Sequence, residues 1–391
     1  MQKEQAKVFF PGLNGLRFLA ASAVIISHIE LLKQQLGLFS LWDEKKHPFI
    51  FSLGGLGVYF FFVLSGFLIT YLLLVEKEKT GSISIRDFYL RRIFRIWPVY
   101  YLLIFLAFFV FPHLPILQLE WFQRFFHDHF WLKFFMFIFM LPNLALAFFP
   151  SIPYAGQAWS IGVEEQFYIV WPWVVSKSKK LVNTIVIIGV AMVVMKALVL
   201  LLNMKFPNNS TIHGIMEFVA MLKIECMAIG GWGACMVFQK KQKMLNLFFH
   251  PVSQAASFLL IPVLIFCVPD IFQNAEHIVY SILFLTIILN VALNPKSFLK
   301  MENRVFNYLG NISYGMYMYH MFLIVIVIRI APHFEFLSSP TSLNIYYYSA
   351  SFLATILFSS LSYYLYERAF IRMKSRFAKV QSGSDGFKKT A

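Results

Sequence analysis

GLRFLAASAVIISHIELL, residues 15–32, decides what kind of protein this is. It is an apolar run of the length a membrane-crossing helix needs, about 20 residues for roughly 30 Å of hydrocarbon. Yet it carries Arg17 near its start and His28 near its end. They are eleven positions apart, so on a helix they share a face and stand roughly 16 Å apart along its axis. Ionisable groups at membrane depth are costly, face a cavity or a partner, and mark a functional site by default. The plain structural alternative is a snorkelling arginine and a histidine bonded to a neighbouring helix.

The rest of the chain is built in the same way. Its 391 residues are 59% hydrophobic and 18% aromatic, and only 14% are charged, where ordinary soluble domains carry about 25%. Apolar runs recur as continuous stretches instead of alternating, which excludes a closed β-barrel. The fold class is therefore all-α, a polytopic membrane helical bundle embedded in a lipid bilayer. A net charge of +15 raises the question of nucleic acid. The basic residues, however, sit mainly between apolar runs, as the positive-inside rule requires, so no nucleic-acid partner is expected. Cys226, Cys235 and Cys267 lie in or beside apolar segments without metal-ligand spacing and read as packing residues; no metal is expected. Ala21-Ser22-Ala23 lies inside the first apolar run and not after it, which argues for a retained signal anchor.

Eleven apolar segments can be marked, at approximately 14–32, 54–75, 97–113, 131–149, 159–176, 181–203, 214–238, 252–269, 277–293, 305–328 and 345–369. The basic clusters around Arg86–Arg95, Lys177–Lys180, Lys240–Lys243 and Arg368–Lys379 all fall on the cytoplasmic side, with both termini, if one of the first five segments fails to cross. The stretch 131–149 contains Pro142-Asn143 and ends at Pro150, so it is predicted to be re-entrant or interfacial. The expectation is about ten transmembrane helices in a cytoplasmic (inner) membrane. Residues 1–371 would form the embedded domain and 372–391 a basic, disordered cytoplasmic tail.

Five constellations carry candidate chemistry. In FYLRRIFRIWPVYY (88–101), Arg91, Arg92 and Arg95 form a compact cationic group. Guanidinium groups bind phosphates in bidentate fashion, so the cluster suits a nucleotide or coenzyme A, against the topological alternative of basic residues at a helix end. In WSIGVEEQFY (159–168), Glu164 and Glu165 sit at the head of an apolar helix, where the helix dipole tolerates acids. One of them is a candidate to orient His28, with Trp159 and Tyr168 as flanking substrate contacts. In ISYGMYMYHMFLI (312–324), Tyr314, Tyr317 and His320 follow one stripe and could line an acceptor pocket or form a structural network. In LKIECMAIGG (222–231), Lys223 and Glu225 are two residues apart and cannot pair on one face, so each needs another partner; Lys196 reads as snorkelling. Gly54, Gly55, Gly57 and Gly66 permit close helix packing, and Ser65 among them is a weak candidate nucleophile. No Walker loop, HExxH or dinucleotide fingerprint is present.

Taken in order, LNGLRFLAASAVIISH (13–28), GVYFFFVLSGFLIT (57–70), RRIFRIWPVYY (91–101), WSIGVEEQFYIVWP (159–172), LKIECMAIGG (222–231), NISYGMYMYH (311–320) and YYLYERAFIR (363–372) resemble the integral-membrane acyltransferase family 3, whose members O-acylate cell-surface glycans. The resemblance covers nearly the whole chain. It implies transfer of an acyl group, most often acetyl, from cytoplasmic acyl-CoA to a hydroxyl of an extracytoplasmic glycan or polysaccharide. It maps a catalytic arginine–histidine element onto Arg17 and His28, and a CoA-handling element onto Arg91, Arg92 and Arg95. Asn14, Lys223 and Ala369 stand where the family more often has aspartate, arginine and proline, which leaves the arginine–histidine pair intact. The chain ends soon after its last apolar segment, without the hydrolase-like domain of some relatives, so further processing would need a partner.

On this reading His28 and Arg17 are catalytic with Glu164 or Glu165 in support. Arg91, Arg92 and Arg95 hold acetyl-CoA, which is a substrate and no permanent cofactor. Trp159, Tyr168, Lys223, Glu225, Tyr314 and His320 contact substrate. An imidazole suits deprotonation of a sugar hydroxyl, and His28 as a transient acyl carrier is the second mechanism. The alternative from another class is a transporter or flippase for a lipid-linked sugar or organic anion.

Overall fold

The computed structural model describes residues 7–39, 48–119, 128–267, 276–334 and 339–382. The apolar runs wind into helices α1 (Leu13–Gln35), α2 (Pro48–Thr80), α3 (Ile85–Phe105), α4 (Phe130–Ile138), α5 (Pro142–Phe148), α6 (Ala158–Lys177), α7 (Leu181–Lys205), α8 (Ser210–Met221), α9 (Ile224–Phe238), α10 (Gln242–Phe249), α11 (Pro251–Cys267), α12 (Glu276–Leu293), α13 (Arg304–Ile330), α14 (Pro340–Ser362) and α15 (Arg368–Ser375). Two short strands, β1 (Lys7–Val8) and β2 (Gln381–Ser382), pair in parallel, with Lys7 opposite Gln381 and Val8 opposite Ser382.

Among the described residues six helices are long and apolar enough to cross a membrane, or up to seven if α10 and α11, bent by 54° at their junction, form one span. The protein is thus a multi-pass membrane bundle, but the sequence expectation of about ten crossings is too high. The stretch 214–238 is interrupted at Leu222 and Lys223, leaving helices of 12 and 15 residues, each short of the roughly 20 residues a span needs. Helix α6 carries Glu164 and Glu165, and α14 is rich in serine, threonine and tyrosine; neither is among the six. The stretch 131–149 becomes α4 and α5, of nine and seven residues. At 1.5 Å per residue these rise only about 14 and 11 Å, so neither can cross alone.

Helix α2 runs through the middle of the bundle, against α1 on one side and α9 on another, while α13 packs on α1 and α14. Close approach at these crossings depends on glycine. A Cβ at Gly66 would land on the backbone of Met227, and one at Gly230 on the backbone of Val63, so α2 and α9 touch main chain to main chain. Gly310 meets the backbone of Asn14 in the same way where α13 crosses α1. Such small-residue contacts replace the hydrophobic drive that lipid cannot supply between apolar helices. The buried share of each helix separates inside from outside: 72% of the apolar stretch of α13 is buried, against 6% in α7, which presents Ile187, Val190 and Leu198 outward.

The first and last described segments meet at the β1–β2 pair. Residues 372–382, placed by the sequence in a disordered tail, continue from α15 and fold back on α3: Lys374 and Val380 are buried, and the rings of Phe94 and Phe377 stack 5.8 Å apart. Residues 383–391 of that tail lie outside the described residues.

Candidate active site

Helix α1 supplies the first two groups. Its start is fixed where the Gly12 amide donates to Glu302 Oε2 at 2.6 Å. One turn in, Arg17 Nη1 donates to Asn14 Oδ1 at 3.0 Å, and Asn14 Nδ2 donates to Asn307 Oδ1 at 3.4 Å. The guanidinium is thereby aimed by an amide, and among the described residues no carboxylate forms an ion pair with it.

Helix α3 brings in the second group. It is capped by Ser84, whose hydroxyl accepts from the Asp87 amide at 3.4 Å, and its three arginines then point to different places. Arg91 turns away from the interior cavity and pairs with Glu76 at 2.8 Å, its other arm donating to the Phe377 carbonyl at 2.9 Å. Arg92 lies over the rings of Phe88 and Tyr168, 5.8 Å from each centroid, and its Nε is buried without a hydrogen-bond partner. Arg95 has neither a hydrogen bond nor an ion pair among the described residues. Cation–π contact with two rings orients Arg92 while leaving its N–H groups for an anion.

Arg17, Arg92 and Arg95 all line one interior cavity of about 170 Å³. Its α2 wall runs from Val58 to Leu72, about 21 Å at the helical rise, so the space is elongated. Glu164 is the one carboxylate in the lining; it accepts from Ser65 Oγ at 2.7 Å and from Tyr168 Oη at 3.0 Å. Glu165, one residue on, is turned to Trp97 Nε1 at 3.1 Å and does not line the cavity. The short helix α5 braces this arrangement: Gln166 Nε2 donates to Asn143 Oδ1 at 2.8 Å, and Gly162 lies against Pro142. Tyr314 and Tyr317 line the cavity from α13, with Tyr314 Oη donating to the Ile96 carbonyl at 2.9 Å, and Tyr317 Oη 2.6 Å from Ser160 Oγ.

His28 and His320 do not line the cavity: the ring of His320 lies 6.0 Å from that of Tyr317, which does, and His28 packs on His320. His28 Nδ1 is 2.8 Å from Nε2 of His320, and the two rings stack with centroids 4.9 Å apart. His320 Nδ1 in turn lies 3.2 Å from the Met316 carbonyl. A carbonyl only accepts, so His320 carries its proton on Nδ1 and offers a lone pair at Nε2. His28 must then carry its proton on Nδ1, which leaves His28 Nε2 unprotonated; the tautomers are assigned from this network. The sequence offered Glu164 or Glu165 as the group that orients His28, and the structure puts His320 in that place.

The other expected substrate contacts divide. Tyr168 and Tyr314 line the cavity, whereas Trp159 packs edge-on against Phe62 outside it. Lys223 and Glu225 belong to a separate buried network on the far side of α2. Glu225 Oε1 accepts from both Lys196 and His277, and Lys223 sits over the Tyr59 ring at 5.5 Å. Lys196 is therefore an ion-pair partner and not a snorkelling lysine. Lys374, from the folded part of the tail, lines the cavity although the sequence offered it only as one of several basic tail residues; Ser160 and Ser313 line it too and were not expected there. Among the described residues, no group of three or more His, Cys, Asp or Glu side chains could hold a metal ion.

No solved structure matches the chain. An O-acetyltransferase, OatA, from Staphylococcus aureus (strain NCTC 8325 / PS 47) is 26% identical over 344 residues, 84% of this chain and 52% of that protein. A second relative, from Staphylococcus aureus (strain COL), is 25% identical over 375 residues, 93% of this chain and 57% of its own length. The peptidoglycan O-acetyltransferase OatA of Listeria monocytogenes is 34% identical over 195 residues, 46% of this chain and 28% of that protein. The chain thus spans about half the length, or less, of these curated relatives. The family model described as "Acyltransferase domain" matches residues 10–364, nearly the whole helical bundle, and the protein belongs to that acyltransferase family.

Proposed function

We propose that this protein is a membrane O-acetyltransferase that moves an acetyl group from cytoplasmic acetyl-CoA to a hydroxyl of an extracytoplasmic glycan. The observation that carries this reading is the elongated cavity with Arg17, Arg92 and Arg95 in its wall, and the His28–His320 pair behind it, with the His320 ring 6.0 Å from that of the lining residue Tyr317. A polyanion with a long neutral arm ending in a reactive carbonyl fits that shape and charge. The family and the names of the relatives support acetyl as the group and a cell-wall glycan as the class of acceptor.

In the proposed reaction the diphosphate sits among the arginines and the pantetheine arm runs along α2 toward Tyr317. His28 Nε2 takes the proton of the acceptor hydroxyl as its oxygen attacks the thioester carbonyl. A carbon–oxygen bond forms, the tetrahedral intermediate collapses, the carbon–sulfur bond breaks, and the thiolate recovers the proton from His28. His320 stabilises the transient imidazolium by accepting from its Nδ1. The basic residues at the Arg17 end fit the cytoplasmic side, where acetyl-CoA is found, so the histidines lie toward the outer leaflet.

The test is binding and turnover of labelled acetyl-CoA by detergent-purified protein, with His28→Ala and Arg92→Ala/Arg95→Ala beside wild type. Binding that survives the histidine change while turnover disappears, and that weakens with the arginine changes, supports the assignment. Folded wild type that binds no CoA would refute it and favour an organic-anion transporter.

A further inference from the structure

Arg17 is tied, through two asparagines, to a carboxylate far away in the sequence. Arg17 Nη1 donates to Asn14 Oδ1 at 3.0 Å, Asn14 Nδ2 donates to Asn307 Oδ1 at 3.4 Å, and Asn307 Nδ2 donates to Glu302 Oε1 at 2.7 Å. The other oxygen of Glu302 accepts from the Gly12 amide at 2.6 Å, where α1 begins. Close backbone packing holds these segments together. A Cβ at Gly15 would fall 2.8 Å from the Met301 carbonyl oxygen, and one at Gly310 would meet the backbone of Asn14.

This chain of bonds can run in only one sense. An ionised carboxylate accepts and never donates, so Asn307 must turn its NH2 to Glu302 and its oxygen to Asn14. Asn14 must then turn its NH2 to Asn307 and its oxygen to Arg17; both amide orientations follow from the network. Glu302 is exposed, whereas Asn14 is buried and lines the cavity beside Arg17. Among the described residues Arg17 has no ion pair and no hydrogen bond besides the one to Asn14.

We propose that Glu302 is a positioning residue for Arg17: it sets the sense of the amide chain and so fixes the guanidinium for the diphosphate of the donor. The proposal rests on acyl-CoA being the donor. A carboxylate in direct contact would orient Arg17 as well, but it would take up the charge that an anionic ligand needs. Two amides in between pass on the orientation and keep the negative charge out of the cavity wall. Glu302 also caps α1, an ordinary role for an acid at a helix N-terminus. That role would act on stability and would not depend on Arg17.

The experiment is a double-mutant cycle on equilibrium CoA binding by the full chain in detergent. Arg17→Ala alone should weaken binding about tenfold, the worth of one charge-assisted contact. Glu302→Ala should weaken it about three- to fivefold in the wild-type background and less than about twofold beside Arg17→Ala, because residues that act through one another do not add. Asn307→Leu cuts the chain but leaves the bond between Glu302 and the Gly12 amide, and it should give the same pattern. Equal losses in both backgrounds, or a loss with Glu302→Ala and none with Asn307→Leu, would assign Glu302 to the cap alone and overturn the proposal. Full affinity in both single variants would overturn it too. Wild type that binds no CoA would instead overturn the donor reading on which it stands.

Discussion

His28 and His320, 292 positions apart in the chain, stack at 20° with Nδ1 of one 2.8 Å from Nε2 of the other. The Met316 carbonyl behind them fixes the direction of both protons, so an imidazole does for His28 what a carboxylate does in many histidine-based sites. The orienting group is an imidazole, so in the proposed transfer a charge formed on His28 would be shared with a second ring instead of being matched by an anion.

That arrangement separates the two histidines in kinetic terms. His28→Ala should lower turnover by about a hundredfold to ten-thousandfold, the usual worth of a positioned general base. His320→Ala should lower kcat by roughly ten- to a hundredfold with KM for acetyl-CoA unchanged, because the base remains but its tautomer and ring angle are released. Equal loss in KM and kcat for His320→Ala would show that it serves binding instead. Initial rates with labelled acetyl-CoA decide between them.

The three arginines should behave differently although they lie within five residues of sequence. Arg92→Ala and Arg95→Ala should each weaken CoA binding by about tenfold, and Arg92→Lys should recover little, since a lysine cannot reproduce the stacked guanidinium over Phe88 and Tyr168. Arg91→Ala removes the partner of Glu76 and the anchor of Phe377. Its first effect should be faster proteolysis after residue 372, with weaker CoA binding as a consequence. Limited proteolysis beside a binding isotherm reads both.

The network on the far side of α2 is expected to be structural. Glu225→Gln should lower stability by about 3 kcal/mol, because it strands the Lys196 ammonium inside the bundle. The double change Lys196→Met/Glu225→Met should return much of that loss, since burying a matched apolar pair costs less than a lone charge. Thermal unfolding in detergent measures both, and acetyl-CoA affinity should not move. Weaker affinity in either variant would join this network to the site.

Glycine at the α2–α9 crossing gives a prediction on packing alone. Gly230→Ala places a methyl group on the backbone of Val63 and should cost about 1–3 kcal/mol as the helices separate. Gly189→Ala on the outward-facing helix α7 meets nothing within 4 Å and should leave the melting temperature unchanged or raise it. A melting temperature for Gly230→Ala equal to wild type would show that the two helices are not in main-chain contact.

The all-helical membrane class could be read from the sequence because apolar content and run length alone decide it. The cationic site was partly legible: Arg17, Arg92, Arg95 and Glu164 do share one cavity. What could not be read was direction. Arg91 and Arg92 are adjacent, yet a step of one residue turns a helix by about 100°, and only packing shows that Arg91 faces the tail. Partners distant in the chain were equally hidden, since nothing local links His28 to His320 or Lys196 to Glu225. The count of crossings failed because apolar runs look continuous where the chain breaks, as at Leu222 and Lys223, a site with no proline or glycine to announce it.

The pairing of β1 with β2 joins a segment that precedes the described helices in the chain to one that follows them. A ribosome has threaded the whole bundle into the membrane before Lys374 can take its place in the cavity wall. The cavity wall is thus completed only after those helices are made, and a chain still lacking α15 would present a cavity without Lys374.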